Sequence, residues 1–335
     1  MLTCDVTKSV VIIIIATVVG ALFVTPPQAE AAWNTGESRP APLPIHNWVW
    51  ENGTFVVETD ILVNIFQTFT IRNATVVMHS KHELIGMRVL GVLRVDDSTI
   101  KSMDETGYYL EVMGAAIINN STIEGVYSRD PIGNGIISLR HFELVNSTLS
   151  SHQGHAITFY APYVGLDYIT NSEVQGVAVL NSVVSVSNSS IGPLCFTHGA
   201  SEVYLYNSTY SDLGAAMGFG YVYSFDYMQV HTSLPEADLS ITDVFGYRMD
   251  VGKTDDNGYY RSWWMSRMVI VDTMQNHVFN YNHLTFEAWK TVEGEYAFHL
   301  FNGRTAKLSF SQNYYGVTVQ DIEENPFVEI EMMPV

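Results

Sequence analysis

Among the side chains able to transfer a proton or hold a cation, three phrases lie close together: Arg129-Asp130, Arg140-His141 and His152-Gln153-Gly154-His155. A carboxylate beside arginine or histidine can do acid and base work, and arginine also pairs with uronates. Gathered in one outer groove, these residues would suit cleavage of an acidic polysaccharide, with calcium as the cation that carboxylates there would take. Scattered, they are solvated loop residues. His152 and His155 could share a metal with His141 or His198, but a metal site needs three or four converging ligands and the spacing supplies only a pair. Asp255-Asp256-Asn257-Gly258 opens like a calcium loop, yet its twelfth position is Ser266 where a bidentate glutamate should stand, so a tight turn is the expected reading. No metal and no cofactor are therefore expected. Nucleophile elbow, phosphate-binding glycine loop, zinc-protease helix and paired-cysteine motifs are all absent from the sequence.

A different chemistry needs no proton. Trp263-Trp264, with Tyr259 and Tyr260 nearby, could offer an aromatic face to a sugar ring, since such rings present an apolar surface to the π face. Alternation along a strand places one of the two tryptophans inside and the other outside.

The elements that must position these residues are announced by a phrase recurring seven times: Asn73-Ala74-Thr75-Val76, Asp97-Ser98-Thr99-Ile100, Asn120-Ser121-Thr122-Ile123, Asn146-Ser147-Thr148-Leu149, Asn171-Ser172-Glu173-Val174, Asn188-Ser189-Ser190-Ile191 and Asn207-Ser208-Thr209-Tyr210. Subtracting successive anchors gives 24, 23, 26, 25, 17 and 19, the period of a solenoid. Two residues before each anchor the side chain is apolar, and four before it is apolar except at Asp167. That spacing predicts a strand with one buried face. Three residues after the anchor another apolar side chain returns, so the chain must bend at Asn-Ser to bring it inward. Asn and Asp suit the corner because they tolerate left-handed backbone angles. Stacked coils would set like side chains on like.

The expected fold is all-β: a right-handed parallel β-helix solenoid followed by a β-sandwich domain. The repeat resembles the pectate-lyase-like superfamily, and within it the secreted archaeal and bacterial proteins with apolar-x-apolar-x-Asn-Ser-Thr-Ile repeats. This resemblance implies a scaffold that serves lyases, hydrolases, adhesins and passive surface proteins alike. Polygalacturonases of this kind carry Gly-His-Gly and paired aspartates, whereas this chain has Gly154-His155-Ala156 and, in the solenoid, only Asp96-Asp97 at a repeat corner. Downstream, Gly252-Lys253-Thr254-Asp255-Asp256-Asn257-Gly258-Tyr259-Tyr260 is similar to the hairpin of the carboxypeptidase-regulatory-like, transthyretin-like β-sandwich. That likeness implies a spacer, cap or adhesion module.

The remaining expectations concern placement. An apolar run from Val10 to Val24 precedes Ala29-Glu30-Ala31, so residues 1–31 read as a signal peptide, with a retained anchor as the alternative. Residues 32–50 read as a proline-rich linker, 51–225 as the β-helix with its N-terminal cap, and 226–335 as the β-sandwich. With Cys4 ahead of the apolar run, the mature chain would keep only Cys195 and rely on burial rather than disulfides. The 16 basic and 35 acidic residues give −19, which argues against nucleic acid or anionic lipid as partners. Membrane contact is expected only through an uncleaved N-terminal segment. Sequons at Asn52, Asn73, Asn119, Asn120, Asn146, Asn188 and Asn207 are candidate glycosylation sites, with Asn52 set apart because it lies outside the repeated phrase. The function expected is a non-catalytic, secreted or cell-surface structural or adhesive glycoprotein of the envelope, contacting envelope components or polysaccharide. The alternative is a polysaccharide lyase or glycoside hydrolase using Arg129, Asp130, Arg140, His141, His152 and His155.

Overall fold

The computed structural model describes residues 47–81, 83–127, 135–160, 167–197, 199–214, 218–244, 246–273, 275–299, 305–322 and 324–335. Arg129, Asp130, His198 and the N-terminal apolar run fall outside them. Among the described residues there is no helix long and apolar enough to cross a membrane. The chain is a parallel β-solenoid of seven three-strand coils and an incomplete eighth, followed by antiparallel sheet.

Each coil contributes one strand to each of three faces. The first face begins at Trp48–Glu51 and runs through Thr68–Arg72, Val92–Asp96 and Ala115–Asn119 to Ala200–Tyr206 and the long strand Phe219–Thr232. The second face begins at Thr54–Val57 and the third at Ile61–Val63. Like residues stack as their spacing requires: Val76 pairs with Ile100, Ile100 with Ile123, Ile123 with Leu149 and Leu149 with Val174. All five are buried. A ladder of this kind gains about 1.5–3 kcal/mol per fully buried aliphatic side chain, which lets a chain without internal disulfides offset its conformational entropy.

The corner between first and second faces is a division of labour within Asn-Ser. Every anchor takes a positive φ, from 45° at Asn73 to 50° at Asp97. After the six later anchors comes a serine, buried except at Ser208, its Oγ donating to the carbonyl two residues back and accepting the N–H of its counterpart in the preceding coil. Ser147 Oγ donates to Val145 O at 2.6 Å and accepts from Ser121 N at 3.0 Å, and Ser121 Oγ in turn accepts from Ser98 N at 3.1 Å. The chain of bonds runs without a break from Ala74 to Ser208.

Three expectations need correction here. Trp48 to Val57, read from the sequence as the end of the linker and an N-terminal cap, is the first coil itself, paired in parallel register with Thr68–Arg72 and Thr75–Met78. Its tryptophans close the open end by packing on Phe69 and Phe55, with ring centroids 4.8 to 5.2 Å apart. Asn52 lies within the ladder and is its first rung, with φ 57° and its Oδ1 accepting from Asn73 Nδ2 at 2.8 Å. The Asp255–Gly258 turn joins two different sheets instead of closing a hairpin within one, because Arg248–Lys253 pairs with Asp238–Asp243 whereas Tyr259–Val271 pairs with the long strand.

Beyond the solenoid, Arg248–Lys253, Asp238–Asp243, His283–His299, Thr305–Asp321 and Met333–Pro334 form an antiparallel sheet. It packs on the distal half of the long strand, on Tyr259–Val271 and on Phe327–Ile330, an arrangement consistent with a β-sandwich. Val222, Val269 and Val271 belong to the solenoid core, Met228, Val230 and Trp264 to the second core. One pair of strands therefore serves both.

Candidate functional site

The described members of the charged cluster do not converge. Arg140 is exposed at the turn entering the first face, and His141 sits on that face, 4.0 Å from Glu143 and edge-on to Tyr168. His152 and His155 occupy a different edge, between second and third faces. Their rings point opposite ways along the solenoid. His152 lies back over two earlier coils, in space that a Cβ at Gly125 would contest at 3.0 Å from Nε2. His155 lies forward over Gly176 and bonds the Pro193 carbonyl one coil further on. Burial pulls its pKa down, against that bond and the pull of Asp212. Both histidines therefore fill gaps that glycines leave in neighbouring coils. Among the described residues no three His, Cys, Asp or Glu side chains gather closely enough to hold a metal. Cys195 is half-buried against Gly214, and burial raises its thiol pKa, which leaves it a poor nucleophile.

The sequons separate by the use of each side-chain amide. Asn73, Asn119, Asn120, Asn146 and Asn207 all donate Nδ2 to a carbonyl or carboxylate oxygen of a neighbouring coil, at 2.8 to 3.2 Å. Asn52 and Asn188 only accept in this ladder. The anchor side chains themselves are exposed. Among the described residues these two sequons show no ladder bond from their amide nitrogen.

The concentrated feature lies on the outer surface of the first face, near its junction with the antiparallel region. Alternation along Ala200–Tyr206 and Phe219–Thr232 sends Glu202, Tyr204, Tyr206, Tyr221, Tyr223 and Phe225 outward, while Val203, Leu205 and Val222 go to the core. Parallel register puts Tyr204 beside Tyr223 and Tyr206 beside Phe225. Their rings stack at 4.9 and 4.8 Å, the spacing of neighbouring strands, with interplanar angles of 22° and 15°. Trp263 joins edge-on to Tyr206 and Tyr227 and is 44% exposed, whereas Trp264 is buried with its indole N–H donating to Tyr281 O at 3.1 Å.

Stacked rings hide one another's faces and show solvent their edges, so the open faces lie at the end of the stack. On the near side of Tyr204 and Tyr206 runs Val183–Ser187, which sets Ser185 and Ser187 beside them. One strand further, Tyr168 stands in register with Ser185 and is 39% exposed. The result is a trench along one strand, floored by serines and walled by tyrosines two strand spacings apart, roughly 10 Å. The Tyr204 hydroxyl donates to Glu202 Oε2 at 2.6 Å, and that bond, with burial, pushes the phenol up to about 12. A hydrogen-bonding carboxylate thus borders an apolar wall, an arrangement suited to a ring with one apolar face and a hydroxyl rim.

Most of this face was missed in the sequence, although a signal existed. Tyr204 to Tyr223 and Tyr206 to Phe225 are both separated by 19 residues, the interval from Asn188 to Asn207, so equal coil lengths align them. No protein-family model, curated protein or solved structure matches the chain.

Proposed function

We propose that this chain is a non-catalytic, secreted or cell-surface structural and adhesive protein of the envelope that contacts carbohydrate through the aromatic outer face of its solenoid. The observation that carries this reading is the tyrosine-walled trench along Ser185 and Ser187, where half-buried Tyr204 and Tyr206 end their ring stacks next to the Glu202 carboxylate. The stacked rings are half-buried and Tyr168, Tyr227 and Trp263 beside them are exposed, and aromatic side chains gathered on one face support a contact surface more than scattered exposure does. The placement of His152 and His155 as packing residues supports a scaffold role, since groups committed to filling gaps are poorly placed to shuttle protons. The apolar run of residues 10–24, followed by Ala29-Glu30-Ala31, supports an extracytoplasmic location.

The test is glycan binding by calorimetry with neutral and acidic oligosaccharides, following product release in parallel. Binding without cleavage is expected, abolished in Ser185→Tyr. That substitution prolongs the ring stack from Tyr204 toward Tyr168, keeping the fold while filling the trench. New reducing ends or unsaturated products would instead establish the lyase or hydrolase alternative.

A further inference from the structure

The strands His283–His299 and Thr305–Asp321 pair along seventeen residues, far longer than the sheet around them. Asp238–Asp243 accompanies them only as far as Trp289, and Met333–Pro334 pairs only with Tyr314 and Tyr315. From Val292 and Gln312 outward, eight residue pairs continue as a two-stranded arm without a third strand. At about 3.4 Å per residue it extends roughly 27 Å.

The arm is two-faced. Val292, Gly294, Tyr296, Ala306, Leu308 and Phe310 share one side by alternation and register, with Gln312 beside Val292 at its base. Glu293, Glu295, Lys307, Ser309 and Ser311 share the other, with Lys307 paired to Glu295 at 2.8 Å. The apolar side continues the row Leu284, Phe286 and Ala288, which inside the second core is fully buried beneath the opposing layer. Lys290, whose ammonium bonds Pro235 O, marks where that layer ends. Past it the same inward-facing row meets solvent: Tyr296 is 62% and Leu308 59% exposed. A two-stranded ribbon is marginally stable alone in water, and one face of this ribbon lacks the second layer that a sandwich requires.

We propose that the arm packs face to face against the same arm of a second copy, each supplying the other's missing layer. Charge favours this occupant. The chain carries −19 overall, so copies repel except across a charge-free patch, and the arm's ionised groups all lie on its far side. Shape favours it too. The Phe310 ring lies over Gly294 and fills the space a side chain there would take, and Tyr296 stacks on that ring at 4.8 Å further toward the tip, so the apolar side is level and can meet a copy of itself. With a two-fold axis beside Gly294, Tyr296 of one arm falls opposite Val292 of the other. The two faces together bury on the order of 1,000 Å², the lower limit for a specific contact, so a reversible dimer forming at micromolar concentrations is expected.

Sedimentation equilibrium of the full chain up to about 200 µM reads this directly. A monomer–dimer equilibrium is expected, shifted toward monomer by roughly tenfold or more in Tyr296→Glu/Leu308→Glu and unchanged by Ser311→Glu on the polar side. Val292→Cys/Tyr296→Cys gives an independent readout: facing sheets stand about 10 Å apart, beyond the reach of a disulfide, so a short bismaleimide should yield a dimer whose peptide map joins position 292 of one copy to 296 of the other. A monomeric wild type at the highest concentration, a dimer indifferent to the Tyr296 and Leu308 substitutions, or a cross-link map lacking the 292–296 link would each overturn the proposal.

Discussion

Asp167 shows what a single residue can disturb in a repeat. It occupies a column in which Phe69, Leu93, Phe142, Val184 and Val203 point into the core, and it is itself fully buried. Its Oδ1 accepts the Phe142 N–H at 2.8 Å, while Oδ2 has no partner among the described residues. Desolvation raises the carboxyl pKa to about 7, opposed by that one bond. The folded pKa stands above the unfolded one, so the protonated group's stability contribution is complete below about pH 4 and is lost as pH rises toward 7. The loss should come to a few kcal/mol, about 1.4 kcal/mol for each pH interval of one between the unfolded and folded pKa values. Asp167→Asn keeps the acceptor and cannot ionise. Urea unfolding at pH 5 and pH 8 should show the wild type less stable at the higher pH and the variant nearly level. An equal pH dependence in both would remove Asp167 as its source.

At the scale of elements, coil-to-coil fit depends on glycines that admit a neighbour's side chain. Gly125 has φ +75°, and a Cβ there would stand 2.9 Å from Ser102 Cβ and 3.0 Å from His152 Nε2. Gly125→Ala should therefore cost about 1–3 kcal/mol, part from backbone strain and part from the imidazole. A double-mutant cycle separates the two. In a His152→Ala background the penalty should fall, leaving the backbone share, whereas strict additivity would show that the ring is not in the way. Equal coil length works the same way for the outer face, since 19-residue coils bring Tyr204 onto Tyr223 and Tyr206 onto Phe225.

Across the whole molecule, the pairing of Phe219–Thr232 with Tyr259–Val271 ties two cores together. Val222 and Val269 close the solenoid while Met228 and Trp264 build the second core on the same strands. Unfolding should accordingly be shared between the regions. Trp48 and Trp50 report on the first coil and Trp264 on the second core, so single-tryptophan variants followed in denaturant should give coincident midpoints. Separated midpoints would show that the shared strands do not couple the two.

The sequence by itself determined the solenoid, because a period of 17 to 26 residues with apolar side chains at −2 and +3 from each anchor, and at −4 from all but Asn171, admits few other folds. It also foretold the positive-φ corner and the inward and outward tryptophans, both consequences of local stereochemistry. Asn52-Gly53-Thr54-Phe55 carried the same signature, with Trp50 and Trp48 at −2 and −4, but glycine in the serine position concealed the first coil. Only the tertiary structure decided what lies beside what. Whether His152 and His155 converge or diverge depends on which glycine in another coil makes room for each ring, and the tyrosine trench depends on register across strands far apart in sequence. The partition of Arg248–Lys253 and Tyr259–Val271 into different sheets and the unsupported arm were likewise out of reach of the chain alone. Alternation reveals which side of a strand is apolar, but what covers that side is settled by the packing of non-local layers.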